Sequence, residues 1–154
     1  MPTTVVNITT GAVYDTYIGR ANPAYDLPAS KWANPFRLER EQDRPLVLAR
    51  YRIWLLSQPR LLQDIHQLRG LVLACWCAPR PCHGDVLAEL ANAPERERRA
   101  RAAAPWAIEP RGVWAGVRTY WQEEARRGSL ALDRLQVICR ESGWDYTATL
   151  EALR

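Results

Sequence analysis

Residues 71–90 constrain the fold of this chain more than any other stretch. Leu71-Val72-Leu73-Ala74 is a short apolar run. It passes into Cys75-Trp76-Cys77-Ala78-Pro79-Arg80-Pro81-Cys82-His83-Gly84-Asp85, after which residues 86–90 become amphipathic. A brief apolar run closed by turn residues predicts a buried strand, and the amphipathic renewal predicts a helix. Strand, polar loop and helix form the unit from which open α/β sheets are built, and such sheets place their sites at the carboxyl ends of the strands. Three of the four cysteines and one of the two histidines fall in this segment. It is the one place in the sequence where reactive side chains converge.

The flanking pattern predicts the rest of an α/β layer. Val5-Val6-Asn7-Ile8 reads as a first strand, and residues 12–18, with Val13, Tyr14, Tyr17 and Ile18, as a second. Gly11 before it suits a tight, hairpin-like turn. Residues 19–36 carry Gly19, Pro23, Pro28 and Pro35 and read as a loop. A loop of that length in a small domain is more often functional than idle. Pro45 suits a first helical position, and Val47, Tyr51, Trp54 and Leu55 recur at helical spacing. Leu61, Leu62, Ile65 and Leu68 predict a second helix stopped at Gly70, and a third spans about 84–92. The expected fold class is α/β: a small Rossmann-like layer with a mainly parallel sheet, plus a helical C-terminal segment.

A boundary is expected near residue 95, giving an α/β domain over 1–94 and a helical extension over 95–154. Residues 93–105 are charged and alanine-rich, as an exposed helix or a loose connector would be. Beyond them, Trp114, Val117 and Trp121 form one apolar face, and Leu132, Leu135 and Ile138 another. Residues 130–153 have helix-turn-helix proportions about Gly143. The second of those helices is almost devoid of basic residues, unlike an element that reads bases. Packing on the α/β domain, or a homodimer through Trp114 and Trp121, is the favoured use.

With 154 residues the chain can bury one good core. No apolar run is long enough to span a bilayer, and Met1-Pro2-Thr3-Thr4 does not open like a secretory signal. A cytoplasmic protein without a membrane partner is expected. In that compartment cysteines are reduced thiols or metal ligands rather than disulfides. The net charge of +4 suits a phosphate-bearing partner without requiring one, and no block of like charge forms a nucleic-acid tail. Lys31 is the single lysine among 21 Lys and Arg residues. It is therefore a candidate for a role that needs a compact, titratable ammonium.

The cysteine–histidine loop admits three readings. Cys75, Cys77, Cys82 and His83 are suitable zinc ligands. They are nevertheless crowded into nine residues with two of them adjacent, unlike the two separated knuckles of structural zinc sites. Alternatively, Cys82 and His83 stand at the positive end of the helix near Gly84, which favours a thiolate or a bound phosphate. Gly84 would then admit a ligand close to the backbone, Asp85 would cap the helix or orient His83, and Arg80 would add a cationic donor. In the third reading, Cys75, Trp76 and Leu87 are core, and His83 is a cap. The second loop, Ser30-Lys31-Trp32-Ala33-Asn34-Pro35-Phe36, emerges at the same sheet edge if its strand is parallel to the other. Lys31 would bring charge, Trp32 a stacking face for a base and Asn34 a reading amide, with Arg20 as a phosphate donor.

Several runs together resemble one family: Tyr17-Ile18-Gly19-Arg20, Ser30-Lys31-Trp32-Ala33-Asn34-Pro35-Phe36, the helix with Tyr51, Trp54 and Leu55, Cys75-Trp76-Cys77-Ala78-Pro79, and Cys82-His83-Gly84-Asp85-Val86-Leu87. That family is domain of unknown function 4326, found in bacteria and their phages. The resemblance covers about residues 5–93, and Ala33 stands where the family often has glycine. It implies a short α/β domain and, by analogy of fold, nucleotide-handling chemistry.

The expected function is a small enzyme that binds a nucleotide, nucleoside or nucleic-acid end and hydrolyses or transfers at a glycosidic or phosphate bond. His83 or Asp85 would be acid/base, Cys77 or Cys82 a nucleophile, and Lys31 part of the catalytic set. Arg20, Trp32, Asn34, Arg80 and Gly84 would bind the ligand. No cofactor is expected under this reading. A non-catalytic nucleic-acid-binding module and a zinc-stapled adaptor are the alternatives.

Overall fold

The computed structural model describes residues 1–103 and three single positions beyond them, Gln136, Arg140 and Thr147. The expectations for the C-terminal helices, including the dimer face at Trp114 and Trp121 and most of the 95–154 extension, lie outside the described residues.

Strands β1 (Thr4–Asn7), β2 (Thr16–Tyr17) and β3 (Val72–Cys75) form a parallel sheet in the order β1-β3-β2. β3 is central. Its last three residues are buried and its sequence, Val-Leu-Ala-Cys, is apolar throughout, as expected of a parallel strand covered on both faces. The fold is thus mixed α/β with a parallel sheet.

The second strand differs from expectation. Only Thr16 and Tyr17 pair, and Val13 is exposed. β1 and β2 are not neighbours, because β3 lies between them. The chain leaving β1 must therefore return to the opposite end of the sheet before β2 can run parallel. It makes a 3-10 turn over Ile8–Thr10, ended by Gly11 at φ +71°, and stays unpaired until Asp15. There the Asp15 amide donates to the Val72 carbonyl at 2.9 Å, and the Val72 amide donates to the Asp15 carboxylate at 2.7 Å. Gly11 ends a turn within a crossover and does not form a hairpin.

Helix α1 spans Arg44–Leu56 with proline in its first turn, α2 Pro59–Asp64, α3 His83–Asn92 and α4 Glu95–Ala103. The predicted 61–68 helix is α2 tightening into a 3-10 turn over Ile65–Leu68, and Gly70 follows at φ +77°. The charged connector is helical over Glu95–Ala103 and buries none of its residues. Arg101 ties it back to Glu89 of α3. α3 packs on β1 and β3, and α1 packs on α3. Ile18, Leu73, Val86, Leu87 and Leu90 meet at full burial in the core, joined by Tyr51 and Leu55 of α1. Arg52 of α1 is also buried and reaches Glu89 with two bonds of 2.9 Å, cross-bracing the two helices.

Candidate active site

Because β2 and β3 are parallel, the loops that follow them leave the sheet at the same edge. A cleft of about 310 Å³ opens there. Its lining comes from the end of β2 and its loop (Tyr17, Gly19, Arg20), the long loop (Asn34, Phe36), the first turns of α1 (Arg44, Val47, Leu48), and the segment after β3 (Cys75, Trp76, Cys77, Cys82, His83).

The long loop is fastened to the strand end by the Ser30 amide on the Gly19 carbonyl at 3.0 Å. Within it the Asn34 side-chain oxygen accepts from the Phe36 amide at 2.9 Å, and one Arg20 nitrogen donates to the Phe36 carbonyl at 2.9 Å. Arg20 and Asn34 are thereby held side by side on one wall. Gly19 is required by sterics: a Cβ there would lie 2.2 Å from the Tyr17 hydroxyl oxygen. That hydroxyl donates to the Arg20 carbonyl and accepts from the Trp76 indole N–H, each at 2.8 Å. Tyr25 meets Trp76 edge-on at 4.9 Å between ring centres. The aromatic surface of the cleft is therefore Tyr17 and Trp76, with Phe36 of the long loop.

The segment after β3 is held by a residue that carries no signal in the sequence. The Asn7 side-chain amide, at the end of β1, donates to the Trp76 and Ala78 carbonyls at 3.0 and 2.8 Å. In a planar trans peptide, carbonyl and N–H point opposite ways. Pinning the Trp76 carbonyl to Asn7 therefore turns the Cys77 N–H away from Asn7, and the Cys77 and Ala78 amides favour the Cys75 thiolate. The Cys75 and Cys82 Sγ atoms are 3.2 Å apart. The Cys82 thiol and these amides hold the Cys75 thiol below its usual range, and the same pairing, with burial, pushes the Cys82 thiol up. Of the pair, Cys75 is the one whose thiolate form is favoured. The sequence points to Cys77 and Cys82 instead, because a cysteine ending an apolar strand looks like core.

Cys82 is the N-cap of α3. Its sulfur accepts from the Gly84 amide at 3.2 Å, and Asp85 accepts from the Cys82 amide at 2.7 Å, completing a capping box. The expected cap at Asp85 is thus shared: Cys82 occupies the cap position and Asp85 closes the box three residues on. The Cys82, Gly84 and Asp85 amides, which a phosphate would use, are taken by the protein itself. Gly84 is buried, and a Cβ there would sit 2.9 Å from both Ile18 and Val5, so this glycine sets the approach of the helix to the sheet.

His83 lines the cleft with Nε2 2.9 Å from the Ile18 carbonyl and its ring edge-on to Tyr51 at 5.2 Å. A carbonyl only accepts, so Nε2 carries the proton and Nδ1 keeps a lone pair in the neutral ring. Burial depresses its pKa, outweighing the bond to Ile18.

The remaining candidates from the sequence sit elsewhere. The Lys31 ammonium pairs with Asp64 at 2.7 Å and Gln67 at 3.3 Å, outside the cleft lining. Trp32 is 4% exposed and belongs to the core, its carbonyl accepting from the Tyr51 hydroxyl at 2.8 Å. Arg80 is exposed and faces Glu41 at 3.3 Å. Arg44 supplies the guanidinium on this side of the cleft, anchored by Glu41 and by the Pro81 carbonyl at 2.8 Å. As for zinc, Cys82 sulfur is occupied as a cap and His83 Nε2 by Ile18. Among the described residues no group of three or more His, Cys, Asp or Glu side chains is placed to hold a metal ion. Among the described residues, too, no helix is long and apolar enough to cross a membrane.

Fold and site define a small α/β protein with a cleft at the carboxyl edge of a parallel sheet. The chain belongs to the family described as Domain of unknown function (DUF4326), whose model matches residues 6–93. It is 34% identical over 86 residues to "Uncharacterized protein R718" of Acanthamoeba polyphaga mimivirus, covering 49% of this chain and 65% of that protein. It is 50% identical over 28 residues to the "Uncharacterized 12.4 kDa protein in nrdA-td intergenic region" of Enterobacteria phage T4, covering 18% of this chain and 26% of the other. The chain thus spans less than two thirds of the length of either relative. No solved structure matches it.

Proposed function

We propose that the cleft binds a nucleotide, nucleoside or nucleic-acid end, and that the protein is a small enzyme hydrolysing or transferring at a glycosidic or phosphate bond. One observation carries this reading. Arg20 and Asn34 of the 19–36 loop and His83, distant in sequence at the start of α3, line a single cleft at the carboxyl edge of parallel strands. That placement is where Rossmann-like layers take their ligands, and it is the ground for reading the fold as Rossmann-like. The volume suits a ligand of nucleoside size.

Arg20 is the group assigned to an anionic substituent, and Asn34 to the polar edge of a base. Stacking passes from Trp32, which is core, to the Trp76–Tyr17 surface. His83, neutral near pH 7, acts as general base through Nδ1. Lys31, Arg80 and Asp85 receive no direct part, since each is committed to a partner away from the reacting position. Phosphate binding rests on Arg20 rather than on the capped start of α3.

The test is binding and turnover with the purified full chain. Nucleosides, nucleoside mono- and triphosphates and short DNA strands are titrated by calorimetry, and products are followed by mass spectrometry. The expected result is binding by one ligand class, reduced at least tenfold by Arg20→Gln, with turnover abolished by His83→Gln while the fold is retained. No binding at millimolar concentrations across the whole panel would overturn the reading.

A further inference from the structure

Cys75 ends β3, and Cys82 caps α3. Their sulfurs are 3.2 Å apart, both side chains are about 1% exposed, and both line the cleft. A disulfide needs about 2.05 Å between sulfurs, so closure asks for a shift of roughly 1 Å. Cys75 is the attacking sulfur, because the partner thiol beside it and the Cys77 and Ala78 amides favour its thiolate. Asn7 holds the Trp76 carbonyl, whose peptide carries the Cys77 amide. Such a pair has the layout of an attacking thiolate beside a resolving thiol.

We propose that Cys75 and Cys82 are an oxidisable pair that closes to a reversible disulfide on reaction with a hydroperoxide small enough to enter the cleft. The inference stands independently of nucleotide processing. In the first step the Cys75 thiolate attacks the terminal peroxide oxygen. The S–O bond forms, the O–O bond breaks, and the departing alkoxide or hydroxide takes a proton from solvent. In the second step the Cys82 sulfur attacks the Cys75 sulfenic acid. The S–S bond forms, the S–O bond breaks, and hydroxide leaves as water with the Cys82 proton. Two thiols are oxidised and one peroxide is reduced. The first step also releases the second: once Cys75 is an uncharged sulfenic acid, the main influence keeping Cys82 protonated is gone. A thiol-based reductant reverses the closure by exchange.

The experiment treats the fully reduced chain with hydrogen peroxide, removes the excess with catalase, alkylates in denaturant and maps peptides by mass. The expected product is a Cys75–Cys82 disulfide, lighter by two hydrogens, with Cys77 and Cys139 alkylated and all four thiols recovered after dithiothreitol. In Cys82→Ser the serine oxygen still caps α3, so the fold is retained. That variant should form no disulfide and should instead trap Cys75 as a sulfenic acid that dimedone labels. A disulfide through Cys77, or four free thiols under conditions that oxidise glutathione in the same tube, would overturn the proposal. Should Cys82→Ser fail to fold, the wild-type peptide map decides alone.

Discussion

The Nε2 of His83 lies 2.9 Å from the carbonyl oxygen of Ile18, so the backbone of one cleft wall fixes the tautomer of the imidazole on the other. This ring is neutral in the folded chain because burial opposes its charge. In the unfolded chain it titrates near its usual 6.5. Below that pH the unfolded chain takes up a proton that the folded chain refuses, and stability falls. Cys75 acts in the same direction at higher pH. Its folded pKa lies below the usual 9.0, so its contribution is complete above 9.0 and is lost as pH falls through the folded value. Stability should therefore rise from acid pH towards about pH 9. Urea midpoints measured across that range check it. His83→Gln, which keeps a donor for the Ile18 carbonyl, should flatten the acid limb. An unchanged acid limb in that variant would show that His83 is not buried as the neutral ring.

Asn7→Ala removes both bonds to the Trp76 and Ala78 carbonyls. The loss is expected to cost about 1–3 kcal/mol of stability. It also frees the Trp76–Cys77 peptide, whose amide favours the Cys75 thiolate. Oxidation of Cys75 by hydrogen peroxide should therefore slow several-fold, while Cys139 is unaffected. Stopped alkylation at timed intervals measures both rates in one sample. Equal rates in variant and parent would separate Asn7 from the reactivity of Cys75.

The strand–loop–helix of residues 71–90 is legible in the sequence because period, turn residues and helix signals agree there. The parallel setting of β3 also follows from its apolar, uninterrupted run. Strand order does not: nothing local in residues 4–18 says that a strand from residue 72 onward will insert between β1 and β2. The site divides in the same way. Arg20, Asn34, Cys77, Cys82 and His83 are expected in the functional loops and do line the cleft. Trp32 misleads because an aromatic in a loop of prolines looks exposed, whereas it fills the core beneath Tyr51. Asn7 escapes notice because its importance lies in backbone carbonyls it meets across the sheet, and Cys75 is named only as a metal ligand or core because sequence spacing does not show its sulfur beside that of Cys82. The rarity of lysine draws attention to Lys31, and rarity carries no geometry.

Lys31 itself can be tested directly. Its ammonium and the Asp64 carboxylate are each more than a third exposed. An ion pair so placed contributes less than about 1 kcal/mol. Lys31→Arg should leave the denaturation midpoint within error and should leave ligand binding in the cleft unchanged. Loss of binding in a normally folded Lys31→Arg protein would restore this residue to the site and require the loop to move on ligand contact.

Gly84→Ala sets two opposing effects against each other at the start of α3. Alanine favours a helical position by about 1 kcal/mol over glycine. Against that, the new methyl would lie 2.9 Å from Ile18 Cδ1 and from Val5 Cγ1, and 3.1 Å from the Cys82 sulfur. Ile18 is fully buried, so it has little room in which to yield, and overpacking of this kind costs about 1–3 kcal/mol. The crowding should win, with net destabilisation of about 1 kcal/mol or more. The methyl also pushes α3 away from β1 and carries the Cys82 cap with it. Disulfide formation with Cys75 should then slow along with the fall in stability. Gly84→Ala with higher stability and an unchanged oxidation rate would mean that helix and sheet are less tightly apposed than the Val5, Ile18 and Gly84 contacts describe.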